Sequence, residues 1–158
     1  MLKLSFRFIM KKLVTSSLIL IVMLLACKKN SDVTKVEALT KFPPPTWQVD
    51  ETGKYPVTMT AVIALPSTLP QELTTNDRLA AFVNEECRGE GTLLKVNNVN
   101  VFFVLIRGVS EEQSKVSFKY YNAGTSYMYQ SQTPLTFHVD DIYGTAEQPK
   151  VLDLIQLE

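Results

Sequence analysis

The sequence predicts an all-β domain, and three observations carry that expectation. Short runs alternate at a period of two, as where Val57, Met59, Ala61, Ile63 and Leu65 interleave with Thr58, Thr60, Val62 and Ala64. Turn-forming residues punctuate these runs roughly every 8–12 positions. No stretch downstream of the N-terminal segment carries an apolar stripe at helical spacing. About eight strands of this kind predict an antiparallel β-sandwich of immunoglobulin-like type, with two sheets burying their inner faces against each other. A closed barrel is the alternative packing.

The chain has 158 residues, which suits one folded domain behind an N-terminal address. Met10-Lys11-Lys12 is followed by an apolar run from Leu13 to Leu25, then Ala26 and Cys27. A positive segment, an apolar segment and a small residue in that order make a secretory signal. The run is shorter than the roughly 20 residues that a membrane span needs. Leu24-Leu25-Ala26-Cys27 resembles the lipobox of bacterial lipoproteins, which implies cleavage after residue 26 and acylation of Cys27. Residues 1–26 are then the signal peptide, and 1–9 read as an over-extended start ahead of Met10. Acyl chains on Cys27 would make the membrane a partner, since each buried CH₂ adds about 0.8 kcal/mol. Lys28 stands where an Asp would resemble an inner-membrane retention signal, which points to the outer membrane. Lys28-Lys29-Asn30-Ser31-Asp32 matches poorly the acidic surface-export signal of some Bacteroidetes lipoproteins, so surface and periplasmic faces both stay open.

Residues 27–46 read as a lipidated tether, and 47–158 as the β-domain. Phe42-Pro43-Pro44-Pro45-Thr46 gives the tether a stiff, extended end. The alternative is that this stretch is the first edge segment of the domain. Strands are then expected over 57–65, 79–83, 86–94, 101–106, 116–121, 126–131, 135–139 and 150–157. Pro66 and Pro70 keep the intervening segment to Asn76 out of regular pairing. Asn97-Asn98 and Asn122-Ala123-Gly124-Thr125 are turns. Val101-Phe102-Phe103-Val104-Leu105-Ile106 is apolar on both faces, so it is expected in the centre with both faces covered.

Charge excludes one class of partner. Four of the 16 basic residues and none of the 16 acidic ones precede Cys27, so the remainder is mildly acidic, at a net of about −4. Nucleic-acid binding needs phosphate neutralisation and is not expected.

The opening hairpin of the domain holds the unusual residues. Pairing Val83 with Glu86 across Asn84-Glu85 sets Phe82 opposite Cys87 and Ala81 opposite Arg88. Phe82 and Cys87 are expected in the core. Gly89 and Gly91 suggest close approach of another backbone or side chain. Arg88 reads as a strand clamp, through an ion pair with Asp77 or a backbone carbonyl, in preference to a clasp for a ligand carboxylate or sugar. With Cys27 acylated, Cys87 has no disulfide partner and reads as a small buried apolar group.

The stretch from Trp47 to Leu152 resembles a module of secreted and surface proteins of Bacteroidetes and related bacteria. The resemblance rests on Trp47, Met59-Thr60-Ala61-Val62, Asn76-Asp77, Leu79-Ala80-Ala81-Phe82-Val83, Glu86-Cys87-Arg88-Gly89, Lys115 to Tyr121, and Gly144 before a final Pro. It implies a β-sandwich and an envelope location, and no activity. Phe82, Cys87, Arg88 and Gly89 are its structural signature in this chain.

No catalytic residue is assigned. The single His, His138, falls on the polar face of its strand, and no nucleophile elbow is present. No metal or cofactor is expected, because the carboxylates lack the spacing of a calcium loop and one His with one Cys makes no zinc site. Aromatic residues are the lead for binding. Tyr121, Tyr127 and Tyr129 are candidates for an outward surface, where rings stack on sugars or anchor protein interfaces, and the alternative for them is ordinary cross-strand packing within the sheet. The sequence therefore points to an outer-membrane lipoprotein displaying a non-catalytic module for glycan or protein. The alternative is a structural component of an envelope complex.

Overall fold

The computed structural model describes residues 39–158. The signal segment 1–26, Cys27 and the first part of the tether lie outside the described residues. Among the described residues there are ten strands and no helix, so the all-β expectation holds. In chain order they are β1 (Val57–Ala64), β2 (Arg78–Val83), β3 (Glu86–Val96), β4 (Val99–Gly108) and β5 (Lys115–Asn122). The shorter ones follow as β6 (Tyr127–Ser131), β7 (Leu135–Thr136), β8 (Ile142–Tyr143), β9 (Lys150–Val151) and β10 (Leu154–Gln156).

These strands form one curled sheet in the order β10-β6-β5-β2-β3-β4-β1-β8, with β7 on β5 and β9 on β1. Two tight hairpins build its middle. Asn84 and Glu85 both take positive φ, at 49° and 64°, and so do Asn97 and Asn98, at 48° and 69°. Two consecutive positive-φ residues make the turn whose twist matches that of the flanking strands. Val83 therefore pairs with Glu86, and Val96 with Val99.

Strand β3 belongs to both halves of the sheet. Its first half pairs with β2, ending at Ala80–Glu90, and its second half pairs with β4, starting at Gly91–Val104. The hand-over falls at glycines because backbones meet there. A Cβ on Gly89 would lie 2.4 Å from the Leu105 carbonyl oxygen, and one on Gly91 would lie 3.2 Å from the Leu79 oxygen. The close approach expected at both positions is observed.

Curling turns one face of both halves onto a common core. Met59, Ala61 and Ile63 of β1 and Phe102, Val104 and Ile106 of β4 pack with Leu79, Ala81 and Val83 of β2 and Val116, Phe118 and Tyr120 of β5. The Phe102 and Tyr120 rings meet edge to face at 6.2 Å, and Tyr129 stacks on Tyr120 at 5.8 Å. Each buried ring of this size contributes about 2–3 kcal/mol through area alone.

Three expectations are corrected. The sheet is mixed and not antiparallel throughout, because β8 and β9 both run parallel to β1. Each of those pairings spans two residues, too few for any periodicity to reveal the strand or its direction. The single closing strand over 150–157 is two strands. Its first part sits on β1, Leu152 enters the core, and its second part pairs with β6. Finally, β4 is central in pairing but covered on both faces only in part: Val101 is fully buried, whereas Leu105 is 47% exposed.

Candidate functional site

A β-bulge organises the Arg88 region. Phe82 pairs with Cys87 as expected, but Ala81 pairs with Gly89, which leaves Arg88 as the extra residue. The bulge thus replaces the expected Ala81–Arg88 pairing and re-aims the arginine. Its guanidinium carbon sits 3.3 Å from the centroid of the Tyr55 ring. Nη1 donates to the Arg107 carbonyl at 3.2 Å and to Glu112 Oε2 at 3.3 Å, and Nη2 donates to Glu112 Oε1 at 3.4 Å. Both side chains of this ion pair are about 8% exposed. Glu112 also accepts from the Val109 amide at 3.1 Å, so it holds the turn after β4.

The partner differs from the one expected. Asp77 accepts from the amides of Thr74 and Ala123, at 2.8 and 2.7 Å, and ties two turns together. The clamp reading of Arg88 nonetheless fits its ion pair, its carbonyl contact and its ring contact, while its buried Nε lies 3.6 Å from Glu86 Oε2 without a hydrogen bond among the described residues. Glu86 completes the cluster. Tyr55 donates to its Oε2 at 2.6 Å and Lys54 to its Oε1 at 3.0 Å. The Tyr55 hydroxyl first, and Lys54 next, hold the Glu86 carboxyl below its ordinary value of 4.5.

That shift has a readable sign. A carboxyl lowered on folding contributes stability that is present above its unfolded value and is lost as pH falls through its folded value. We expect the thermal midpoint to fall with acidification below about pH 4.5, and Glu86→Gln to flatten part of that fall. Melting curves of both proteins between pH 7 and pH 3 check this. Parallel pH profiles would remove Glu86 from the account.

Opposite the core, a strap covers the outer face of β2 and β3. The Phe42 amide donates to the Ser126 carbonyl at 2.8 Å. Arg78 donates to the Pro45 carbonyl and, at 3.3 Å, to the Trp47 carbonyl. Its Nε reaches Glu90 at 2.6 Å. Trp47 meets Phe82 edge to face at 5.5 Å, and the Arg78 guanidinium lies 5.5 Å from the indole. The proline-rich stretch is therefore held along the domain from Phe42.

The strap explains Phe82 and Cys87. Both are buried, but with Ala80 in a small outer cluster under Trp47 and Val49, separate from the main core. Burial pushes the Cys87 thiol above its ordinary value, and its Sγ lies 3.9 Å from the Gly89 carbonyl oxygen. A thiol held protonated in this way is a packing group.

The tyrosines do not form the expected surface. Tyr121 is 3% exposed and Tyr129 is 9% exposed, and Tyr129 sits in the core against Tyr120. Tyr127 is half-buried against the same core. Tyr127 and Tyr129 do share a face, but it is the inner one. Period two assigns residues to a common face without saying which face is wet.

The open feature is a groove of about 520 Å³ beside the strap. Trp47, Gln48, Val49 and Glu51 form one wall, and Glu90 of β3 with Leu105 and Arg107 of β4 forms the other. A cleft of about 420 Å³ lies farther along the strap, between Pro44, Arg78 and Tyr121. The larger groove joins the two constellations of this region. Arg88 fixes the backbone carbonyl of Arg107, and Arg78 fixes both Glu90 and the strap. Sequence reasoning passed over this groove. The only signal in the sequence is the alternation of Leu105 and Arg107 across the end of the apolar run, and Trp47 lies far from them along the chain.

Among the described residues, no group of three or more His, Cys, Asp or Glu side chains is placed to hold a metal ion. Comparison with protein-family models, with curated proteins and with solved structures finds no match for this chain.

Proposed function

We propose that this chain is a lipid-anchored protein of the bacterial outer membrane that displays a non-catalytic binding module for glycan or protein. The groove beside Trp47 is the observation that carries the binding part. It is concave and of ligand size, and it sets the polar groups of Gln48, Glu51, Glu90 and Arg107 beside the apolar surface of Trp47, Val49 and Leu105. Its walls are rigid because buried contacts hold both Arg107 and the strap in place. The anchor rests on the Leu24-Leu25-Ala26-Cys27 motif. The module is the Bacteroidetes surface module described above, and its curled sheet is an immunoglobulin-like sandwich. The core shared by β1, β4, β2 and β5 supports that layering.

Palmitate labelling of cells tests the anchor. Wild-type protein is expected to label and Cys27→Ser to lose the label entirely. A labelled Cys27→Ser protein rejects the lipobox. Protease shaving of intact cells then decides which face the module occupies. A second reading, assembly into an envelope complex through protein contacts alone, is favoured by Ile142 and Val151. These are 64% and 60% exposed in the two short strands that run parallel to β1. Co-purification of a stoichiometric envelope protein by the full chain, with binding insensitive to changes in the groove, would select it.

A further inference from the structure

We infer that the groove beside Trp47 takes an uncharged saccharide. This inference rests on the binding-module reading and adds the chemical class of the ligand. The lining decides the class by elimination and then by fit.

The charges of the groove are mixed. Glu51 and Glu90 face Arg107, and Arg107 makes no ion pair among the described residues. Glu90 is already paired with Arg78, so Glu51 and Arg107 leave the lining with one charge of each sign, and neither a polyanion nor a polycation finds a net opposite charge. A purely apolar ligand would strip water from Glu51, Gln48 and Arg107 and give them no partner in return.

A neutral sugar satisfies both kinds of surface. Its C–H faces can lie on Trp47 and on Leu105, which is 47% exposed. Its hydroxyls both donate and accept. Glu90 uses one oxygen, Oε1, for Arg78, at 2.6 Å from Nε and 2.5 Å from Nη2, and keeps the other for a hydroxyl. The Gln48 amide and the Arg107 guanidinium are planar and can each bridge neighbouring hydroxyls, as such groups do in specific clefts. The volume of about 520 Å³ lies within the range of about 300–1,000 Å³ usual for small-molecule clefts.

Trp47 is the only Trp of the chain, so the emission comes from the strap residue that walls this groove. The test titrates the full-length protein in detergent with cellohexaose, xylohexaose and mannohexaose as neutral probes and hexagalacturonate as the acidic probe. Calorimetry measures affinity, and Trp47 emission measures place. At least one neutral probe is expected to bind and shift the emission. Gln48→Ala and Arg107→Ala are each expected to weaken it about tenfold, while their melting points show that the fold is kept. Binding of hexagalacturonate alone overturns the ligand class and leaves the binding module standing. Neutral binding without an emission change, or with both variants unaffected, overturns the site. No saccharide binding together with capture of an envelope protein overturns the inference and keeps a protein-binding module. No saccharide binding and no captured partner overturns both.

Discussion

Arg88→Ala is expected to lower stability by about 3–5 kcal/mol, the largest effect of any change outside the apolar core. Removing the arginine leaves Glu112, about 8% exposed, as a buried carboxylate without its cation. It also strips Tyr55 of a guanidinium stacked 3.3 Å from its centroid and the Arg107 carbonyl of its donor. In a domain of this size such a loss lowers the melting point by more than about 10 °C. The charge argument makes a second, sharper demand. Arg88→Met combined with Glu112→Leu removes both charges and is expected to recover much of what the single change loses. Urea unfolding of the single and double variants measures it. A single variant within about 1 kcal/mol of wild type, or a double variant worse than the single, would falsify the clamp.

The second large effect is expected at Gly89. An alanine there places its Cβ 2.4 Å from the Leu105 carbonyl oxygen and 3.2 Å from the Ile106 Cα. Both obstacles are backbone, so no side chain can rotate away. The cost is about 3 kcal/mol, met by prising β3 from β4 at the point where β3 changes partners. Gly91→Ala supplies the comparison. Its nearest contacts are at 3.2 Å, one of them the movable Phe102 side chain, so a smaller loss is expected. Equilibrium denaturation of the pair checks the ranking, and equal losses would mean that glycine serves there only for its flexibility.

These two residues also show how far sequence reasoning reaches. The hairpin turn at Asn84-Glu85 and its Val83–Glu86 closure were legible because turn chemistry is local. The bulge one step further was not, since alternation continues unbroken through Ala81 and Arg88. Strands β1 and β5 announced themselves through periodicity, β2 and β4 through unbroken apolar runs. The two-residue strands β8 and β9 carry no period, and their partner β1 lies far away in sequence. The tyrosines failed for a different reason. Period two puts Tyr127 and Tyr129 on one face without saying which face is wet, and Tyr129 is stacked on Tyr120 in the core. The groove was hidden because its walls come from three separate segments, and only the strap brings Trp47 beside Leu105 and Arg107.

The parallel pairing of β1 has a consequence for the order of events in time. Thr60 waits for Ile142, and Ile63 for Lys150. A chain emerging N-terminus first therefore presents one side of β1 without a neighbour until nearly all of it has been delivered. The central hairpins can close early, because their ends are adjacent in sequence. The last step must be a slow, long-range capture, and until then a bare strand flank is available to other chains. Protection of that flank during synthesis is thus a requirement of this topology.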